Sequence, residues 1–326
     1  MSPSPTAISV PDSDASAATV TLCGPQRLKP TITDLAPKLA QNRPIGLVTA
    51  GWREREKDDN ELQTALGNNA VNLRLYTRWK TIAADDPDYF ELHRQRQDKL
   101  RRLQVIYRRR LNHAMAAARE LLAHDADDDL YGPEQVAAIA AIAELDRHHL
   151  RRVKAIHLDF QQTVKPGTRP SIARHREQVA HALEGVRLVC IAGGHVAVLL
   201  NRLRLFALRS LLVDRHVMAW SAGAMAMTSR VVLFHDFPPW GDGDAEVLDH
   251  GLGLVDDVVA LPHAHRRLDL EDNGRVALMA RRMNPARCVI LPDGAHAAFA
   301  ASEVLDTSHD LRLLSAAGTV DPAEVS

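Results

Sequence analysis

The chain has 326 residues, of which 46% are hydrophobic and 25% charged, a composition typical of a globular protein with a large buried core. Lys and Arg number 40 against 41 Asp and Glu, so no global field attracts nucleic acid or an anionic membrane. Aromatic residues make up 4%, which disfavours a surface that stacks single-stranded bases. Three widely spaced cysteines (Cys23, Cys190, Cys288) exclude a disulfide framework and favour a reducing cytoplasm.

The first part of the chain predicts a leader followed by a parallel sheet. Residues 1–18 are rich in Ser, Pro, Ala and Asp, and we expect a disordered leader. Residues 19–84 alternate short apolar runs with polar helical stretches, which indicates βαβ units. The strands predicted here are 19–23, 44–50 and 71–76.

Residues 85–163 lose the strand signal and predict an inserted helical hairpin. Apolar residues such as Leu103, Tyr107 and Leu111 recur at steps of three or four, the period of an amphipathic helix. An acidic turn, Asp125–Asp129, interrupts the pattern before a second helix with Ile139 and Ile142 on its apolar face. The α/β domain is therefore expected in two pieces, residues 19–84 and 164–326.

The α/β pattern returns after Pro170. The predicted strands are 187–192, 216–220, 257–261 and 287–291. Their nearly continuous apolar character is typical of a sheet covered on both faces. No run reaches the roughly 20 apolar residues of a membrane helix. We therefore predict an α/β fold with a mostly parallel central sheet and an inserted helical hairpin, without a membrane partner.

Ser221, directly after the predicted strand 216–220, is the first candidate catalytic residue. It lies in Trp-Ser-Ala-Gly-Ala, where small neighbours fit a tight strand-to-helix turn that exposes the hydroxyl. A helix N-cap serine followed by small packing residues explains the run equally well. Gly193 and Gly194 end the preceding predicted strand, either as an ordinary turn or as donors of backbone amides to a ligand. Both runs lie at the ends of predicted strands, and neighbouring parallel strands end at the same edge of a sheet. Together they therefore favour an oxyanion site at that edge.

A serine hydroxyl also needs a base and a group that orients the base. His263 follows the predicted strand 257–261, and we expect it on the same sheet edge as Ser221. Asp236 lies between the two in the chain, so that the order Ser, Asp, His matches one known order for catalytic triads. The chain has 16 histidines, and His235 and His265 are the nearest alternatives.

Taken together, these runs resemble the peptidase E and cyanophycinase family of serine hydrolases. The shared features are Gly193-Gly194 with Leu199-Leu200, the run 220–224, an Asp fifteen positions after the serine, Gly-Leu-Gly-Leu at 251–254, and Pro262-His263. The resemblance implies a class I glutamine amidotransferase-like fold, a three-layer sandwich. It also implies that Ser221 is the nucleophile, His263 the base and Asp236 the orienting acid. The amides of Gly194 and Ala222 would then form the oxyanion hole.

The same resemblance implies cleavage of an amide or peptide bond through an acyl-enzyme, with no metal or cofactor. His195, Arg266 and Arg267 are the candidate substrate-binding residues, and the two arginines favour an acidic substrate because arginine grips a carboxylate with two donors. A metal site at His263 and His265 is disfavoured, since residues two apart on an extended segment point to opposite faces. An α/β-hydrolase esterase would place its histidine closer to the chain end. A non-catalytic binding or scaffold protein of the same fold is the alternative function.

The first predicted helix of the hairpin is strongly basic. Eight basic residues lie between Arg94 and Arg110, against one acid, Asp98. They form either a patch for a polyanion or a solvated face that pairs with the acidic turn or with a partner subunit. We favour the second interpretation because the whole chain is not basic. Nucleic acid is therefore not a favoured partner, and the hairpin offers a route to a homodimer.

Overall fold

The computed structural model describes residues 18–237, 243–300 and 303–323, so the predicted leader lies outside the described residues apart from Ala18. The strands, in chain order, are β1 Val20–Cys23, β2 Ile45–Val48, β3 Ala70–Asn72, β4 Leu188–Ile191, β5 His216–Trp220, β6 Arg230–Leu233, β7 Glu246–His250, β8 Val258–Pro262, β9 Arg287–Leu291, β10 His296–Ala300, β11 Glu303–Thr307, β12 Arg312–Leu314 and β13 Val320–Pro322. The α-helices are α1 Ile32–Ala40, α2 Asn60–Ala65, α3 Leu75–Asp85, α4 Pro87–Leu122, α5 Tyr131–Val164, α6 Pro170–Ala182, α7 Val196–Leu205, α8 Leu208–Leu212, α9 Ala222–Met227, α10 Ala264–Arg267 and α11 Asn273–Met283.

A seven-stranded, mostly parallel sheet organises the α/β part, in the order β11-β10-β1-β5-β4-β2-β3. The five strands from β1 to β3 in this order are parallel, and β10 and β11 run antiparallel at one edge. Strand β4 is buried along its whole length, and its side chains contribute alternately to two hydrophobic cores, Val189 and Ile191 to one and Leu188 and Cys190 to the other. The predicted α/β class with a mostly parallel sheet, covered on both faces, is therefore confirmed.

The third predicted strand, residues 71–76, is only partly correct. Strand β3 ends at Asn72, and Leu75 already begins α3. The change of direction falls at Arg74, which has a left-handed φ of 53°. The buried carboxylate of Glu56 then accepts the free amides of Tyr76 and Thr77, both at 2.7 Å. The start of α3 therefore depends on Glu56, about twenty positions earlier in the chain. The apolar pattern of residues 71–76 does not indicate this contact.

The predicted strands 257–261 and 287–291 form as β8 and β9, but they belong to a second sheet. Its order is β13-β12-β9-β8, and β8 and β9 are parallel. The expectation that His263 follows a strand of the same sheet as Ser221 is therefore wrong. Strands β6 and β7 pair as a separate antiparallel ribbon.

Residues 85–163 contain two long helices, α4 and α5, that lie in the chain between β3 and β4 of the large sheet. The helices are antiparallel, since Tyr89 lies against Phe160 while the Tyr107 hydroxyl donates to Asp146 at 2.7 Å. We call α4, α5 and the turn between them the helical hairpin. Among the helices of the described residues, none has the length and apolar character needed to cross a membrane.

A buried polar network joins the helical hairpin to the α/β part. The guanidinium of Arg282, on α11, donates to both oxygens of Asp146 at 2.7 and 2.8 Å and to the Tyr107 hydroxyl at 3.0 Å. Arg282 and Asp146 are each 2% exposed. A buried charge pair of this kind is strongly position-specific, because removing one partner leaves the other charge without compensation. The network therefore fixes where α5 lies on α11.

Candidate active site

Ser221 occupies a strained turn between β5 and α9. Its φ of 53° and ψ of −124° are rare for a residue with a side chain, and such strain is concentrated at functional sites. Neighbouring glycines make the turn feasible: a Cβ on Gly193 would lie 2.7 Å from the Cβ of Ser221, and a Cβ on Gly223 would lie 2.3 Å from the Ile191 carbonyl oxygen. The Ser221 side chain makes no capping hydrogen bond to α9. The half-buried Ser221 side chain therefore does not cap α9, and it lines a cleft instead.

His263 directly follows β8, and its ring reaches the serine. Its Nε2 lies 3.1 Å from the Ser221 Oγ, within hydrogen-bonding distance. Burial lowers the pKa of His263 to about 4, and the positive charge of Arg267 adds to the shift. The ring is therefore neutral at neutral pH, and with its proton on Nδ1 the Nε2 accepts the hydrogen bond from the hydroxyl. This is the state that a general base requires.

The structure does not bring Asp236 to His263. Arg275 Nη2 donates to Asp236 Oδ1 at 2.5 Å, and the Asp269 amide donates to Oδ2 at 2.9 Å. Across residues 18–237, 243–300 and 303–323, no hydrogen bond or ion pair joins Asp236 to the histidine. Asp236 is thus held in an ion pair with Arg275 of α11 rather than with the histidine.

A different carboxylate, Asp293, is close enough for its charge to act on His263, although no hydrogen bond joins the two among the described residues. Its negative charge raises the pKa of the histidine, against the larger lowering by burial. Asp293 follows β9, the parallel neighbour of β8, so both residues lie at the carboxyl end of the second sheet. It also accepts a long ion pair from Arg266 at 3.5 Å. No motif in the sequence marks Asp293, although its position after the predicted strand 287–291 is a usable signal.

The two predicted oxyanion residues lie beside the serine. Gly194 has a φ of 107°, and a Cβ there would be 2.5 Å from the Gly51 carbonyl carbon, so only glycine fits. Strand β4, which leads into Gly194, is the parallel neighbour of β5. Ala222 is the first residue of α9, and its amide has no acceptor within the helix. Both residues line the same cleft as Ser221, where free amides can hold an oxyanion.

The cleft above the serine has a volume of about 740 Å³ and mixed charge. Ser221 and His263 line it, together with Trp52 from the turn after β2. Its charged lining residues are Arg27, Arg55, Asp58, Glu61 and Arg267. Because Arg55 is paired with Asp58 at 3.0 Å, the cations without an ion pair to another described residue are Arg27 and Arg267.

Of the three predicted substrate-binding residues, Arg267 is the one that lines the cleft as described. His195 instead caps α7: the Val198 amide donates to its Nδ1 at 3.4 Å. Arg266 is directed to Asp293. The positions of His195 and Arg266 therefore do not support the prediction that they bind a substrate.

The three cysteines are buried and are not candidates for a reactive nucleophile. Burial raises the pKa of the Cys23 thiol to about 12 and also raises that of Cys190, which keeps both thiols protonated. In the described part of the chain, no three His, Cys, Asp or Glu side chains are arranged to hold a metal ion.

No family model and no curated protein matches the chain.

Proposed function

We propose that the protein is a serine hydrolase that cleaves an amide or peptide bond through an acyl-enzyme. The observation that carries the proposal is the 3.1 Å contact between Ser221 Oγ and His263 Nε2 at a strained strand-to-helix turn. A turn with these angles is costly, by about 1–3 kcal/mol, and it persists where the surrounding structure requires it. The burial that keeps His263 neutral supports the same role.

The proposed reaction uses groups already in place. Ser221 Oγ attacks the carbonyl carbon while its proton passes to His263 Nε2. The negative oxygen of the tetrahedral intermediate accepts hydrogen bonds from the Gly194 and Ala222 amides. His263 then gives its proton to the leaving nitrogen, and the C–N bond breaks. A water molecule, deprotonated by His263, attacks the acyl-enzyme and releases the acid and the free serine.

The charge that forms on His263 needs a carboxylate partner, and we assign this role to Asp293. Its charge acts on His263, whereas Asp236 is occupied by Arg275. Orientation by Asp236 would require it to leave that ion pair.

The fold supports membership of the family that the sequence resembles. A mostly parallel sheet with hydrophobic cores on both faces, and a serine at the carboxyl end of a central strand, is compatible with a class I glutamine amidotransferase-like three-layer sandwich. Arg27 and Arg267 in the cleft support a substrate that bears a carboxylate.

The decisive test is covalent labelling with a fluorophosphonate probe, followed by intact mass. We expect one adduct on the folded wild-type protein and none on Ser221→Ala. Ser229→Ala is a matched control, because Ser229 is a half-buried serine bonded to Asp256 rather than to a histidine. A folded wild-type chain that stays unmodified would favour the alternative, a non-catalytic binding protein with this fold.

The pH profile of labelling tests the base. Since the pKa of His263 is lowered to about 4, the ring stays neutral through the ordinary histidine range. The labelling rate should therefore be flat from pH 5 to 8 and fall about tenfold per unit only below pH 4. A midpoint near 6.5 would contradict the buried, neutral histidine.

A further inference from the structure

The solvent face of α4 carries a stripe of cations. Lys99, Arg102, Arg109 and Arg110 are exposed, and none forms an ion pair with another described residue. Steps of three and four residues place them on one side of the helix, where Ile106 is 56% exposed among them. Arg108, by contrast, points toward the α/β part, since it donates to Glu246 at 2.7 Å. The stripe is therefore the side of α4 that faces away from the rest of the chain.

The far end of the helical hairpin carries the opposite charge. Glu120 on α4 is exposed, as are all four acids of the turn between the helices, which are Asp125, Asp127, Asp128 and Asp129. No described residue forms an ion pair with any of them. Between the cations and these acids, Ala116 and Ala117 are exposed and small. Along about 35 Å from Lys99 to Leu122, the face thus changes from basic, through small residues, to acidic.

We propose that α4 packs antiparallel against α4 of a second copy of this chain, with the twofold axis near Ala116 and Ala117. The arrangement sets Arg109 and Arg110 of each helix against the acidic turn that follows the end of the other helix, and the twofold axis makes the two contacts identical. In this register His113 lies opposite Glu120 of the partner subunit. Arg109 and Arg110 lie within side-chain reach of the partner subunit's Asp127. The two alanines allow the helix axes to approach closely.

A second copy explains this face better than a polyanion does. A phosphate backbone along the stripe would also meet the acidic turn, which repels it, and the whole chain has a net charge of −1. A second copy related by a twofold axis presents the same face of α4 in the opposite direction. Its acidic turn therefore meets the basic stripe of the first copy. Charge complementarity along an interface fixes its register and suppresses other partners.

Charge reversal with the full chain tests the proposal by sedimentation velocity. We expect wild type to be a dimer. Both Arg109→Glu/Arg110→Glu and Asp127→Lys/Asp129→Lys should weaken the dimer by about tenfold or more, because each sets like charges against each other. A mixture of the two variants should restore a dimer that contains one chain of each, since every reversed pair is then complementary. Arg152→Glu/Lys154→Glu, at exposed cations of α5, is the matched control and should remain a dimer.

Disulfide cross-linking tests the position of the proposed twofold axis. A single cysteine at Ala117 should form an intermolecular disulfide under mild oxidation, while one at Arg152 should not, and the three natural cysteines are buried. Self-association should weaken in about 1 M NaCl, where the Debye length is about 3 Å. A monomeric wild type, reversed variants that dimerise as wild type does, or a mixture that stays monomeric would each overturn the proposal. Binding of duplex DNA that depends on Arg109 and Arg110, in a monomeric chain, would assign the stripe to nucleic acid instead.

Discussion

The sheet edge that carries Ser221 and the helical hairpin are held in place by different means. At the sheet edge, short turns and glycine contacts within a few ångströms set the geometry, as at Gly193 and Gly194. The helical hairpin is held by polar side chains that meet across more than a hundred residues, such as Arg282 with Asp146. The first kind of structure depends on close backbone approach, such as that of Gly194 to Gly51, and resists any added atom. The second depends on pairs, each of which fails when one partner is lost.

The largest effect should come from breaking the buried pair under the helical hairpin. Asp146→Ala leaves Arg282 buried without its carboxylate, and we expect the free energy of unfolding to fall by about 3–5 kcal/mol. Urea denaturation measures it. Glu144→Ala, at the exposed partner of Arg147 and Arg151, is the control and should change stability little. Equal losses from both variants would show that the buried network does not hold the hairpin.

The pH dependence of stability gives the next largest effect. Burial lowers the pKa of His93, on α4, to about 3, so the folded protein keeps it neutral while the unfolded chain binds a proton below about pH 6.5. Stability therefore falls as the pH decreases from 6.5, by up to about 2 kcal/mol at pH 5 from this residue. His93→Leu should remove that part of the slope, whatever its effect at pH 8. An unchanged slope in the variant would mean that His93 is protonated in the folded state.

The sheet edge yields a pair of variants with opposite expectations. Asp293→Asn should lower the labelling rate of Ser221 by about tenfold or more, because the cation that forms on His263 loses its carboxylate. Asp236→Asn should mainly lower stability, since it leaves the Arg275 guanidinium without its charge partner. Labelling rates and urea denaturation of both variants separate the two roles. The reverse pattern would return the orienting role to Asp236.

The smallest effect concerns a link between the two regions. Asn201 lies on α7, the helix that follows Gly194, and accepts from Arg96 and Gln97 of α4 at 3.2 and 3.0 Å. Asn201→Ala should slow labelling of Ser221 by about two- to threefold, because α7 is then less firmly held and a hydrogen bond of this kind contributes about 1 kcal/mol. Asn112→Ala, at an exposed position of α4, is the control. Equal rates in both variants would make the two regions independent.

Sequence patterns predicted the features that depend on neighbouring residues. The apolar runs located β1, β2, β4 and β5, while the small residues around Ser221 left open either a tight turn or an N-cap. They did not predict which sheet β8 joins, because pairing of β8 with β9 is decided by strands some thirty residues apart. The partner of Asp236 was equally hidden, since Arg275 belongs to a helix that carries no catalytic pattern.

At the base of the helical hairpin, Arg169 donates to Asp86 at 2.6 Å, so the two ends of a segment of about eighty residues lie side by side. A chain that leaves and re-enters a domain at one place adds little loop-closure entropy to the host. A few residues would bridge that gap, and a shortened protein would keep its strand order. It would then expose Glu246 and Arg282, which now pair with Arg108 and Asp146 of the hairpin, and both charged side chains are already suited to water.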